Sequence, residues 1–325
     1  MKHTTHCHDL EGIVLKKTAG LYRVWNGSSA LNCRLQLQPS ARAKHSRRGD
    51  PAEEIVVGDR VQVKIQPDGS GIILAMLERR NRLARRSAVP MPGAHPFEQV
   101  IAANVDQVAA VMALSQPAPR WNLLDRYLTS AESLGIEALI CLTKVDAARG
   151  ADGRLDETVL EEAELYRQVG YRVIFTSVIT GEGLGELKAA LGGRVSTLLG
   201  KSGAGKSSLL NALLPGLGLR VGELNQVGKG RHTTTGVEMH RCDFEGWLVD
   251  TPGTREFGLW DVDADDLAWY FPEMRGLVGQ CRFGLDCAHD EEPGCAIRAA
   301  VTAGQISPRR YMSMMKLKEE GYFQW

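Results

Sequence analysis

A multidomain chain is predicted: a small N-terminal β-barrel, a central α/β domain and a small helical C-terminal domain organised by a metal. Four observations predict it. Five short runs of β character, punctuated by turn residues, fall before residue 80. Strand and helix patterns alternate from about residue 101. Gly200-Lys201-Ser202-Gly203-Ala204-Gly205-Lys206-Ser207 interrupts them with the spacing G-x-x-x-x-G-K-S. Finally, three cysteines and a histidine crowd into the fifteen residues from Cys281 to Cys295. The expected divisions are a disordered tail (1–9), an OB-type barrel (10–83), a linker (84–100), the α/β domain (101–260) and the metal-binding domain (261–325).

The totals set limits on function. A chain of 325 residues can hold two or three separate cores. Lys+Arg and Asp+Glu both number 39, yet residues 1–100 carry 16 basic against 9 acidic side chains. A basic first third points to a polyanion such as nucleic acid, although a solvated basic face gives the same count. No apolar run approaches the ~18 residues of a membrane span, and Met1 to Leu10 lacks the apolar core of a signal peptide. A soluble, cytoplasmic, monomeric protein without a membrane partner is therefore expected. Seven cysteines cannot all pair, and their clustering favours metal over disulfides.

The tail holds His3, His6, Cys7 and His8, which read as a polar terminus before they read as a metal site. Strands are expected at Gly12 to Lys16, Leu21 to Trp25, Leu31 to Leu37, Arg60 to Gln66 and Gly71 to Leu77. Asn26-Gly27 marks a hairpin, and Arg42, Lys44, Arg47 and Arg48 sit in a basic loop. Five strands in about seventy residues suit an OB barrel, which binds RNA or single strands, with an SH3-like barrel as competitor. Arg79, Arg80, Arg82, Arg85 and Arg86 extend the basic surface toward a Pro-containing linker.

Beyond it, Val105 to Leu114 lacks strict alternation, as a strand buried on both faces does. Asn122 to Leu134 places its apolar residues on one helical side; Ala138 to Leu142 is a strand, Leu155 to Val169 a helix and Tyr171 to Thr176 a strand. Arg194 to Leu199 reads as a buried strand and Ser207 to Leu214 as a helix, which is the context a phosphate-binding loop requires. There the loop glycines turn backbone N–H groups inward, and the helix start aims its positive end at the phosphates. Lys206 would reach the β- and γ-phosphates, Ser207 would place its hydroxyl on Mg²⁺, and Ser208 continues the helix start.

Four further motifs surround that loop. Thr143-Lys144-Val145-Asp146 resembles the N-K-x-D base-reading motif of GTPases, in which the Asp accepts from guanine N1–H and the 2-amino group and the Lys stem covers the purine. Thr176-Ser177-Val178-Ile179-Thr180-Gly181-Glu182-Gly183 resembles the loop that supports guanine O6 from its backbone, placing Ser177 and Val178 at the base. Gly230 to Thr235 resembles a switch I segment, with Thr234 favoured over Thr235 as Mg²⁺ ligand and γ-phosphate sensor. Asp250-Thr251-Pro252-Gly253 fits D-x-x-G, so that Asp250 would hold Mg²⁺ through water and the Gly253 amide would meet the γ-phosphate.

The order of these motifs is circularly permuted: an ordinary GTPase places the base-reading pair last. Switch II therefore leads straight into the C-terminal domain. No glutamine follows D-x-x-G, where Thr254 and Arg255 stand, so His232 is the candidate to orient or deprotonate the attacking water. Its alternative is a switch or RNA-contact role. A nucleotide-gated RNA-binding module with negligible hydrolysis is the second reading of the whole chain, and an ATPase, against which Asp146 argues, the third.

Cys281, Cys287, His289 and Cys295 form C-x₅-C-x-H-x₅-C, a closed tetrahedral set for one structural Zn²⁺ with no position left for substrate. Helices are expected on either side, Asp263 to Tyr270 and Pro308 to Glu319, the latter exposing Arg309, Arg310, Lys316 and Lys318 either to RNA or to packing on its own domain.

With these residues in place, the chain resembles the ribosome small-subunit-dependent GTPase A family over nearly its whole length. Ala103-Asn104-Val105-Asp106-Gln107, Gly230 to Thr235 and Asp250 to Leu259 carry the resemblance most specifically. It implies binding to the 30S subunit and 16S rRNA, 30S-stimulated hydrolysis of GTP to GDP with Mg²⁺, and a role in late small-subunit maturation. It places the catalytic histidine on His232 and the zinc ligands on the four residues above. Thr143 stands where that family usually has Asn, which implies a weaker contact to guanine N7 and a weaker tie to the phosphate loop. The first zinc spacing is one residue longer than usual.

Overall fold

The computed structural model describes residues 9–36, 54–86, 98–218, 237–250 and 262–320. The described residues fall into two compact units.

The first unit is built on five strands, β1 (Asp9–Thr18), β2 (Leu21–Trp25), β3 (Ala30–Leu35), β4 (Arg60–Ile65) and β5 (Gly71–Met76). They close in the order β1-β2-β3-β5-β4-β1, with β3 and β5 parallel and every other pair antiparallel. That parallel closure is the OB arrangement rather than the SH3-like one. Alternation along each strand sends Val14, Tyr22, Val24, Cys33, Val61, Val63 and Ile73 inward. Burial pushes the Cys33 thiol up to about 11, so it packs as a small apolar side chain.

Of two arginines expected on the basic surface, Arg79 is spent on structure and Arg80 stays 63 % exposed. Arg79 donates through Nε and Nη2 to the two carboxylate oxygens of Asp59 at 2.7 and 2.8 Å, and Asp59 is 0 % exposed. Asp59 also accepts the Val56 amide. Arg80 pairs with Asp106 at 2.8 Å. A buried carboxylate requires such a partner, and Asp59 and Asp106 are too far along the chain for a local charge count to reveal them.

The stretch read as a linker starts and ends in a hairpin: β6 (Arg82–Arg86) pairs antiparallel with β7 (Glu98–Ala103). Asn104, in a left-handed conformation at φ 55°, follows it. Its side chain accepts the Arg80 amide and donates to the Gly58 carbonyl. Asp106 accepts the Val195 amide at 2.8 Å. The Ala103 to Gln107 motif thus carries structural work: short polar side chains satisfy backbone groups at a sharp change of direction.

The α/β elements come next: β8 (Gln107–Ala113), α1 (Trp121–Ser133), β9 (Glu137–Thr143), α2 (Val145–Ala148), α3 (Glu157–Val169), β10 (Arg172–Phe175), α4 (Leu184–Leu191), β11 (Val195–Leu199) and α5 (Lys206–Leu213). Strands β10, β9 and β8 pair in parallel in that order, and β8 is buried throughout, as its unbroken apolar pattern requires. Helix α3 is capped by Asp156, which accepts the Thr158 amide, and ended by Gly170 at φ 111°. Strand β11 runs from the first unit, where it pairs in parallel with β13 (Trp247–Asp250), into the second. Strand β12 (Glu238–Arg241) joins β13 antiparallel on one side and barrel strand β1 on the other, with Lys16 opposite Glu238. These two side chains form an ion pair, and the Trp25 and Trp247 rings meet edge to face at 5.8 Å.

The C-terminal segment belongs to the second unit and has its own core around Phe271, Met274, Ile297, Ile306 and Met314. Ala264–Tyr270 is a 3-10 helix, tighter than the α-helix expected there, and is followed by α6 (Pro272–Arg275), α7 (Ala296–Thr302) and α8 (Pro308–Glu319). Asp263 caps the 3-10 turn by accepting the Asp265 amide, and Pro272, the first residue of α6, lies just beyond it.

Helix α8 does not expose both of its arginines. Arg310 is 1 % exposed and donates to Asp125 of α1 at 2.7 Å and to Glu273 at 2.6 and 2.9 Å. Arg309 reaches the other Asp125 oxygen at 2.7 Å and Glu162 of α3 at 2.7 Å. The Tyr166 hydroxyl donates to Asp125, and the Arg310 guanidinium lies 4.5 Å over the Phe271 ring. Burial alone would push the Asp125 carboxyl up; the Arg310 and Arg309 guanidiniums override it and hold the group below the usual carboxylate range. Among the described residues, no helix is long and apolar enough to cross a membrane.

Candidate functional site

The phosphate loop lies where the sequence places it, between the end of β11 and the start of α5. Gly200 permits the approach: a Cβ there would sit 2.4 Å from the Val111 carbonyl oxygen, closer than any side chain allows. Ala204 closes a turn by donating its amide to the Lys201 carbonyl. Helix α5 begins at Lys206 with no side chain capping it, so the first-turn N–H groups face the loop. The Lys206 ammonium is held across the loop by the Gly200 and Lys201 carbonyls. Gly203 and Gly205 take φ of 83° and 90°, and Ser202, Ser207 and Ser208 complete the turn and first helical residues.

The base-reading strand ends against this loop. Thr143, the last residue of β9 and 5 % exposed, donates its hydroxyl to the Ala204 carbonyl at 2.6 Å. A second carbonyl, that of Met112, lies 3.4 Å from the same oxygen. Threonine thus still ties this strand to the phosphate loop, through its hydroxyl. Lys144 follows in a left-handed conformation at φ 58°, and its ammonium donates to the carbonyl of Gln116 in the loop after β8. Asp146 lies in the first turn of α2.

The loop from Thr176 to Gly183 is held by its own hydrogen bonds. The Ser177 hydroxyl accepts the amides of Ile179 and Thr180 at 3.2 and 3.1 Å, and the Ser177 amide donates to the Glu182 carbonyl. Val178 is left at the turn's exposed tip. Gly183, at φ 69°, is required there because a Cβ would lie 1.9 Å from the Phe175 carbonyl oxygen. Arg149, just after α2, pairs with Glu182 at 2.8 Å and so braces the loop against the segment carrying Asp146. Sequence reasoning missed Gln116 and Arg149; neither stands within a recognisable motif, and only the fold brings them to the site.

Asp250 ends β13 in the first unit. His232, Thr234, Thr235 and Gly253 lie outside the described residues.

In the C-terminal segment the four expected ligands converge. The Sγ atoms of Cys281, Cys287 and Cys295 and a ring nitrogen of His289 all lie within 4.8 Å of one another, and all four residues are buried. Cys281 Sγ stands 3.9 Å from Cys295 Sγ, and His289 Nδ1 stands 3.5 and 3.6 Å from those two sulfurs. A tetrahedral zinc with ordinary Zn–S and Zn–N lengths has edges of about 3.5–3.8 Å, so the donor set fits the ion. Burial pushes the Cys287 thiol up to about 12, and a divalent cation is what would displace its proton. Further bonds hold the segment around the set: Ala296 donates its amide to Cys281 Sγ, Tyr311 donates its hydroxyl to the His289 carbonyl, and Glu292 accepts the Ala288 and Asp290 amides. A 3-10 turn at Gly284–Asp286 absorbs the long first spacing.

Comparison with known proteins agrees with this geometry. A family model described as RsgA GTPase matches residues 76–260. The chain is 41 % identical over 314 residues to the small ribosomal subunit biogenesis GTPase RsgA of Gemmatimonas aurantiaca, covering 95 % of this chain and 96 % of that protein. It is 42 % identical over 303 residues to the protein of the same name from Moorella thermoacetica, covering 93 % and 94 %. Among solved structures, YjeQ from Thermotoga maritima superposes with a TM-score of 0.77 at 32 % identity, covering 98 % of this chain and 100 % of that one. YloQ, described as a circularly permuted GTPase, superposes at 0.74 and 29 % identity, covering 98 % and 97 %.

Proposed function

The chain belongs to the RsgA GTPase family, and on that premise we propose that it is a 30S-stimulated GTP hydrolase acting in late maturation of the small ribosomal subunit. The single observation that carries the reading is the bond from Thr143 to Ala204, which joins a base-reading strand to a phosphate loop. In this reading the domains follow the sequence divisions: the barrel meets 16S rRNA, the central domain binds GTP or GDP, and the zinc domain receives the output of switch II.

Asp146 would accept from guanine N1–H and the 2-amino group, the Lys144 stem would cover the purine, and backbone at Ser177 and Val178 would support O6. The loop from Gly200 to Ser207 would cradle the phosphates, with Lys206 turning its ammonium to them. Ser207 and Thr234, with Asp250 through water and Thr235 as the second choice, would offer Mg²⁺ the oxygen donors it prefers. That ion would supply positive charge to offset that of the phosphates. The Gly253 amide would meet the γ-phosphate, and His232 would orient the attacking water or take its proton.

Turnover of GTP and of ATP, each with and without purified 30S subunits, tests the proposal. Stimulated hydrolysis of GTP alone is expected. Guanine binding without stimulation would favour the nucleotide-gated RNA-binding module. His232→Ala is expected to lower stimulated turnover by about 10²–10⁴-fold while GDP affinity holds. Unchanged turnover would remove His232 from catalysis.

A further inference from the structure

We infer that this enzyme does not read guanine N7 through position 143, so that replacing N7 with carbon costs it little affinity. The inference rests on the base-site reading above and narrows it to a single ring atom.

N7 is a lone-pair nitrogen and can only accept. The asparagine usual at this motif has an NH₂ group with two protons, one for the phosphate loop and one for the purine. The Thr143 hydroxyl has one. It lies 2.6 Å from the Ala204 carbonyl and 3.4 Å from the Met112 carbonyl, and both of these are acceptors. Whichever carbonyl holds the proton, none is left for a purine nitrogen. Thr143 is 5 % exposed and Ala204 3 % exposed, so turning the hydroxyl toward the base would remove its bond to the loop inside a dry site. The substitution of threonine therefore keeps the link to the phosphate loop and gives up the purine contact. Recognition at the base is left to Asp146, which reads the opposite edge, and to the loop at Ser177 and Val178.

Competition against a fluorescent GDP analogue, using GDP, 7-deaza-GDP and IDP on the full-length chain, tests this. Wild type is expected to bind GDP and 7-deaza-GDP within about twofold of each other, while preferring GDP to IDP by about tenfold, the size of one hydrogen bond to a charged group. Thr143→Asn is expected to create a preference of about fivefold for GDP over 7-deaza-GDP. Thr143→Val, which loses the bond to Ala204, is expected to weaken both ligands by about tenfold and leave their ratio near one. That pattern separates base reading from a purely structural role, since the structural defect alone does not move the ratio. A wild type that prefers GDP to IDP and also prefers it to 7-deaza-GDP by fivefold or more overturns the inference alone. If wild type fails to distinguish GDP from IDP, the Asp146 reading falls and takes the inference with it. An asparagine variant that remains indifferent to N7 overturns the assignment to position 143.

Discussion

Stripping the metal from Cys281, Cys287, His289 and Cys295 is expected to unfold residues 262–320 rather than loosen one loop. Structural zinc contributes about 10–16 kcal/mol in small metal-dependent domains, as much as the entire folding free energy of an ordinary domain. The three thiols are also part of the segment's own apolar core with Phe271, Ile297 and Met314, and His289 is buried. Without the ion they are a buried polar set with little reason to converge. Elemental analysis is expected to give one zinc per chain. Cys295→Ala, or a strong chelator, is expected to abolish hydrogen-exchange protection of α7 and α8. Undiminished protection in the metal-free protein would show that the apolar core suffices alone.

The second large effect is expected at Asp125→Ala, at a cost of about 3–5 kcal/mol, the range for removing one partner of a buried ion pair. This carboxylate is 0 % exposed and receives Arg309, Arg310 and the Tyr166 hydroxyl at once. Its loss leaves Arg310, itself buried, with Glu273 as its remaining carboxylate. Chemical denaturation followed by helical signal measures the change. A loss below about 1 kcal/mol would mean that water reaches the cluster. The pH dependence has a defined sign. The folded-state pKa of Asp125 is depressed, so its stabilisation is present above the unfolded carboxyl value of about 3.9 and disappears as pH falls through the folded value. Glu162, raised chiefly by burial, acts in the opposite sense: its contribution is present below the unfolded value and is lost as pH rises through the folded one. Acid lability therefore belongs to the Asp125 side of the cluster.

Elements with a strong local pattern were legible in the sequence. Strand β2 spans Leu21–Trp25 and α8 spans Pro308–Glu319, both as periodicity and capping residues indicate. The phosphate loop and the zinc set were legible because their chemistry demands fixed residue types at fixed spacing. Misreadings share one physical cause. Arg79 and Arg310 look like surface charge, since their carboxylates, Asp59 and Asp125, lie 20 and 185 residues away in the chain. The hairpin of β6 and β7 was hidden because its strands flank a proline-bearing stretch that resembles a linker. Thr143 illustrates a subtler limit: residue identity predicts a weaker tie, and only geometry shows which carbonyl its hydroxyl meets.

Strand β1 shifts its register between Val14 and Lys16, and beyond that bulge Lys16 lies opposite Glu238 of β12. One strand therefore both closes the barrel and caps a sheet that would otherwise end at β12. Cutting the chain after the barrel would uncover the outer backbone groups of β12, and an uncovered strand recruits whatever strand is nearest. The barrel is thus part of the solubility of the nucleotide domain. Fragments made by dissecting the gene at that boundary would stick to one another before their chemistry could be assayed.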